Sequence, residues 1–193
     1  MNKNALLIVD LQNDFCPEGA LPVKDGDKIV SLVNDLISIA VGRDIPIFAS
    51  RDWHPAKTTH FNTYGGKWPP HCIQMTGGAE FHPNLQLPNN AIIISKGTKE
   101  NEDAYSAFDG TDKNGLSFLS VLVKKSVKKI FICGLALDYC VKASALDARK
   151  LEFEVVVFEN ATKGVDINPS GSWYTKVEMW NAGVKIMNFP EFN

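Results

Sequence analysis

Short apolar runs alternate with amphipathic stretches along the whole chain. The run "ALLIVD" ends at Asp10, and after a loop Ile29, Leu32, Val33, Leu36, Ile37 and Ala40 recur at i, i+3, i+4, i+7, i+8 and i+11. That spacing marks one face of a helix. "IPIFASR" predicts a second strand, "AIIIS" a third, and "NGLSFLSVLVKKS" a helix leading into the strand "KKIFICG". Residues 139–150 read as a helix rich in small side chains, "FEVVVFEN" as a strand, "PSGSWYTKVEMWNAG" as a helix and "VKIMNF" as a last strand. Continuous apolar strands separated by helices are buried on both faces, which predicts an α/β fold with a mainly parallel sheet of about six strands between helical layers. On the last helix Trp173, Val177 and Trp180 fall at i, i+4 and i+7. Such a stripe predicts core, with a subunit interface as the alternative.

Composition narrows the function classes. A chain of 193 residues supports one sizeable core, so residues 1–193 are expected to form a single domain. The net charge of -2 leaves no electrostatic footprint for nucleic acid or an acidic membrane, and a small-molecule partner fits better. The apolar run before Asp10 is too short for a signal peptide or a membrane span, so the expected location is cytoplasmic. In a reducing compartment Cys16, Cys72, Cys133 and Cys140 are not expected to pair, and the plain reading of any one is a small buried hydrophobe.

Ligands in open parallel sheets bind beyond the carboxyl ends of the strands. Asp10 closes the first strand, Asp52 follows the second, Lys96 the third, and Cys140 lies a short turn after the fourth. Each alone reads as solvated or structural, but four successive strand ends delivering one useful side chain apiece point to a site. Segment 52–90 is far longer than an ordinary connection. It carries Trp53, Phe61, Tyr64, Trp68 and Phe81, which argues against a solvated tail. Asp52 and His54 stand two apart and so share a side of an extended backbone, and His60 and His71 follow. An oxygen donor with two or three imidazoles suits one divalent ion of zinc, iron or manganese, and the ligand types do not choose among them. The predicted ligands are Asp52, His54 and His71, with His60 an open fourth; the alternative is that these histidines pack the loop. His82 reads as structural.

Cys140 opens the predicted helix after "CGLALDYC". A thiol at a helix N-terminus is expected to be drawn toward thiolate. As nucleophile it needs a base and a cation, which Asp10 and Lys96 could supply. Lys96 reads equally well as a surface lysine.

With "LLIVDLQNDFCPEGAL", "DWHPAKTTHF", "WPPHC", "ISKGT", "YSAFDG" and "GLALDYCV", nearly the whole chain resembles the nicotinamidase or pyrazinamidase branch of the isochorismatase-like cysteine hydrolases. The resemblance implies a three-layer αβα, Rossmann-like fold and hydrolysis of nicotinamide to nicotinate and ammonia through a cysteine thioester. Pyrazinamide is an implied second substrate, and NAD salvage the implied setting. It maps a catalytic triad onto Asp10, Lys96 and Cys140 and metal ligands onto Asp52, His54 and His71, with His60 where many microbial members add a histidine. Phe15, Leu21, Trp68, Tyr105 and Tyr139 match a slot for the aromatic ring. A cis peptide maps onto Leu135 and Ala136 and is expected to aim the N–H groups of Ala136 and Cys140 into an oxyanion hole. Three rivals stand beside this reading: a related amidohydrolase acting on another small amide, a hydrolase using metal-bound hydroxide, and an inactive binding protein. A homo-oligomer remains possible.

Overall fold

The computed structural model describes residues 3–167 and 170–189. Six strands, β1 (Asn4–Val9), β2 (Ile47–Asp52), β3 (Ile92–Lys96), β4 (Lys129–Leu135), β5 (Glu154–Lys163) and β6 (Lys185–Met187), form one sheet in the order β3-β2-β1-β4-β5-β6. Every neighbouring pair is parallel, so the expected mainly parallel sheet is wholly so.

The strands are apolar on both faces because helices cover both. Leu6 and Ile8 of β1 pack with Val33, Leu36, Ile37 and Ala40 of α1 (Val30–Gly42). Ala5, Leu7 and Val9 point the other way, toward Phe118 and Leu122 of α2 (Phe118–Lys124), Ala145 and Ala148 of α3 (Lys142–Lys150) and Met179 of α4 (Gly171–Asn181). This is the period-two alternation of a strand serving two cores. The expected helix over "NGLSFLSVLVKKS" is shorter at its start. Asp112 accepts the N–H groups of Asn114 and Leu116 in a turn, and Ser117 caps α2 by accepting from Ser120 N, so the first residues never enter the helix.

The aromatic stripe on the last helix is not core. Trp173 is 58% and Trp180 71% exposed, while α4 buries Thr175 and Met179 instead. The aromatic periodicity therefore lies on the outer face of a helix that turns Thr175 and Met179 inward. Pro169, at the predicted start of that helix, lies outside the described residues.

Strand order reverses between β1 and β4, which pair from Asn4↔Lys129 to Val9↔Gly134. That switch point is where the carboxyl ends of a doubly wound sheet open into a crevice. Gly134 makes the close approach possible: its φ is 111°, and a Cβ there would lie 2.1 Å from Val9 O. Among the described residues no helix is long and apolar enough to cross a membrane.

Candidate active site

Asp10 follows β1 with φ of 43°, a left-handed backbone rare for a side chain bearing a Cβ and concentrated at functional sites. The turn aims its carboxylate into the crevice, where Oδ1 accepts from Ser50 Oγ at 2.7 Å. Asp52 and Lys96 end neighbouring strands in direct register. Lys96 Nζ lies 2.9 Å from Asp10 Oδ2, forms an ion pair with Asp52 Oδ1, and lies 3.4 Å from Cys140 Sγ. The lysine is fully buried, so its reading as a surface residue is overturned. Asp10 Oδ2 has no aligned hydrogen-bond donor and faces the Lys96 ammonium as an ion pair.

Electrostatics follow from burial. Desolvation works against the Lys96 charge, but Asp10, Asp52 and Cys140 outweigh it and hold the ammonium well above the usual lysine range. Desolvation would also raise Asp52; Lys96, His54 and His71 reverse that and hold it well below the usual carboxylate range. For Asp10 desolvation prevails over Lys96 and raises it, the direction that makes a carboxylate a better base.

Cys140 departs from its expected setting. It sits in a single π-helical turn, Leu137–Val141, and α3 begins only at Lys142. Burial pushes its thiol well above the usual range, Lys96 pulls it down, and Asp10 and Asp52 add to the rise. Burial thus favours the thiol, against the pull toward thiolate expected of a helix terminus and in keeping with the expected need for a base.

Segment 52–90 folds onto the strand ends around the histidines. His54 exchanges backbone bonds with Cys72 O and Gln74 N, and buried Phe61 packs its ring against His54 and His71, with centroids 5.5 Å away in each case. Ligand atoms of His54, His60 and His71 lie within 4.8 Å of one another. Asp52 Oδ2 is 3.6 Å from His54 Nε2 and 3.8 Å from His71 Nε2. In each ring Nδ1 is already engaged: His54 with Gly97 O at 3.0 Å, His71 with Pro69 O at 2.7 Å, and His60 with Asp103 Oδ1. Gly97 leaves room for this, since a Cβ there would sit 2.3 Å from His54 Cε1. Fixing Nδ1 on an acceptor presents Nε2 as a lone-pair donor, the arrangement of metal-bound histidines. His54 Nε2 is moreover buried without a hydrogen-bond partner. The donor set therefore fits a divalent metal ion, and His60, left open by sequence, stands with the other two. Its own pKa is held low by burial and by His54, toward the neutral form that metals take.

The crevice between these two groups is a narrow cleft. Phe15, Leu21, Trp68, Tyr105 and Tyr139 all line it. Trp68 Nε1 donates to Tyr105 OH at 3.0 Å, and its ring meets Tyr139 edge-on at 5.1 Å. Ala136 and Cys140 face the same space, and the Leu135–Ala136 peptide is cis. His82 stays apart, its Nδ1 accepting from Asn84 N. Sequence reading missed Ser50, Gln12, Asp103 and Val165. Gln12 accepts from Asp52 N through Oε1 and donates to Asp52 O and Ala79 O through Nε2, tying the Asp52 backbone to the loop. Ser50 and Gln12 were visible as polar residues at buried strand-end positions; nothing in the charged run around Asp103 marked it.

The isochorismatase domain family matches residues 4–187. The nicotinamidase of Escherichia coli (strain K12) is 36% identical over 208 residues, which span 100% of this chain and 98% of that protein. The pyrazinamidase of Pyrococcus horikoshii, solved in complex with zinc, superposes with a TM-score of 0.89 at 43% identity, covering 97% of this chain and 100% of that one. PnC1 from L. infantum, solved in complex with nicotinate, gives a TM-score of 0.84 at 36% identity, covering 96% of this chain and 92% of the other.

Proposed function

The chain belongs to the isochorismatase family of hydrolases, and from that premise we infer that it hydrolyses nicotinamide to nicotinate and ammonia, with pyrazinamide as a second substrate. The observation that carries the reading is the contact of Lys96 Nζ with both Asp10 Oδ2 (2.9 Å) and Cys140 Sγ (3.4 Å) at the base of a cleft lined by aromatic rings and imidazoles.

In this reading Asp10 takes the thiol proton of Cys140, and the thiolate attacks the carboxamide carbon. Backbone N–H groups of Ala136 and Cys140 hold the developing oxyanion. Ammonia leaves with the proton carried by Asp10. The same carboxylate then deprotonates water, which cleaves the thioester to nicotinate and restores the thiol. Lys96 steadies the negative charge on Asp10 and Cys140 throughout and forms no bond to substrate.

Asp52, His54, His71 and His60 would hold a divalent metal ion, with zinc favoured among zinc, iron and manganese by the zinc-bound relative. Such an ion supplies a Lewis acid for the pyridine nitrogen and so orients the amide toward the thiol. Phe15, Leu21, Trp68, Tyr105 and Tyr139 sandwich the ring. Residues 1–193 act as one domain with 52–90 as its metal-binding loop. The reaction belongs in the cytoplasm, where the four free cysteines stay reduced.

The test is ammonia release from nicotinamide by the purified chain, before and after chelation. Turnover that chelation abolishes and added zinc restores is expected; no release from the metal-loaded chain would rule the reading out.

A further inference from the structure

Asp138 stands two residues before Cys140, and both of its carboxylate oxygens are engaged away from the catalytic groups. Oδ1 accepts from Val165 N and Oδ2 from Asp166 N, each at 2.9 Å. Asp166, with φ of 50°, in turn accepts from Ser172 N through Oδ1 at 2.8 Å, at the start of α4. Residues 164–166 lie outside any strand or helix, so these side-chain bonds stand in for a ladder. The fit is close: a Cβ on Gly164 would lie 2.5 Å from Ser172 Oγ and 3.4 Å from Asp138 Oδ1.

Val165 is the residue this latch places in the cleft. Its side chain lines the cavity together with Val23, Leu21 and Leu135, and packs on the core cluster that contains Val23 and Leu135. The four side chains are apolar and offer a ring substituent no hydrogen bond. Asp138 does not line the cleft; it fixes the wall from behind. Two bonds to one carboxylate are charge-assisted and stronger than neutral ones.

We propose that Val165 limits which ring substituents the cleft accepts, and that Asp138 is the positioning residue that sets how far Val165 reaches into it. The proposal rests on reading the cleft as a pyridine-carboxamide site. Its substrate class is nicotinamides carrying small apolar groups on ring carbons. Discrimination by an apolar wall runs to about 10–200-fold per methylene, so a valine is large enough to decide the outcome.

The experiment measures kcat/KM for nicotinamide and for nicotinamides methylated at each ring carbon in turn, with metal content checked in every sample. Val165→Ala is expected to raise the methylated-to-parent ratio by about 10-fold or more at one ring position at least, and Val165→Leu to lower it. Asp138→Asn keeps the size but replaces one accepting oxygen with an amide donor. It should raise KM for nicotinamide more than it lowers kcat and shift the same ratio in the same direction as Val165→Ala. In the Val165→Ala background it should add little to that ratio, because the wall it positions is gone. Ratios that stay put in both Val165 variants of an active enzyme overturn the proposal, and so does an Asp138→Asn change confined to kcat. If Asp138→Asn does not fold, the two Val165 variants still decide the wall. A wild-type chain inactive on nicotinamide instead overturns the reading beneath it.

Discussion

The Lys96 ammonium lies 2.9 Å from Asp10 Oδ2 with neither side chain more than 1% exposed. The same ammonium is paired with Asp52, so one buried cation faces two buried carboxylates. With Cys140 as a thiol, the cluster carries surplus negative charge, and a divalent ion on the far side of Asp52 would more than offset it. Removing one member of a buried ion pair leaves the other uncompensated, at a cost of about 3–5 kcal/mol. Lys96→Ala is therefore expected to lower unfolding stability by about that much, measured by urea titration. In the folded fraction kcat should fall by about 10²-fold or more while KM moves less, the pattern of an electrostatic role. A covalent intermediate on Lys96 in peptide mass mapping would contradict that role.

Buried imidazoles with Nδ1 engaged and Nε2 converging should bind metal as a unit. His54→Ala and His71→Ala are each expected to lose most of the bound ion by elemental analysis and to make residues 52–90 more open to proteolysis. A bound ion would add a tie between this overlong loop and the strand ends. Full metal content in both variants would refute the ligand assignment.

Asp103 does not itself line the cleft, yet its carboxylate holds Nδ1 of His60, which does. Partners of this kind fix the tautomer and raise the basicity of a ligating ring, and their loss weakens metal affinity about 10–100-fold. Asp103→Asn should show a loss in that range by chelator competition, with the unfolding midpoint barely changed because the carboxylate is 60% exposed. Unchanged affinity would make Asp103 a surface contact only.

All six strands were legible because buried parallel strands have a sequence signal that tertiary context reinforces. The strand-end rule likewise brought Asp10, Asp52, Lys96 and Cys140 to one edge before any coordinates. What stayed hidden depended on packing in three dimensions. Periodicity on α4 could not say which side of the helix met the sheet, so Trp173 and Trp180 were misplaced. The state of Cys140 turned on burial, which a helix-terminus argument ignores: the desolvated thiol is raised, not lowered. Asp103 and Val165 enter the site through contacts between segments far apart in sequence, and neither residue type announces such a role.

The division of labour between thiol and metal is the point at which the mechanism can be broken most cleanly. Cys140 Sγ lies 3.4 Å from Lys96 Nζ and faces the cleft, whereas His54, His60 and His71 gather as a second group, with Asp52 reaching both. If the thiol forms the bond, Cys140→Ala removes the only nucleophile, and losses of about 10⁴-fold or more in turnover are expected. Sulfur contributes no ligand to the cluster of His54, His60 and His71, so metal content and nicotinamide affinity should survive. An enzyme using metal-bound hydroxide would show the opposite pattern, keeping most of its activity without the thiol and losing it on chelation. Chelation alone cannot separate the two, because both need the ion, one for orientation and the other for attack. The deciding measurement is turnover of Cys140→Ala in a sample whose metal occupancy is verified, since a metal-free variant would be inactive for an unrelated reason. Near-normal ammonia release from that fully loaded variant would end the thioester mechanism and leave the metal as the source of the nucleophile.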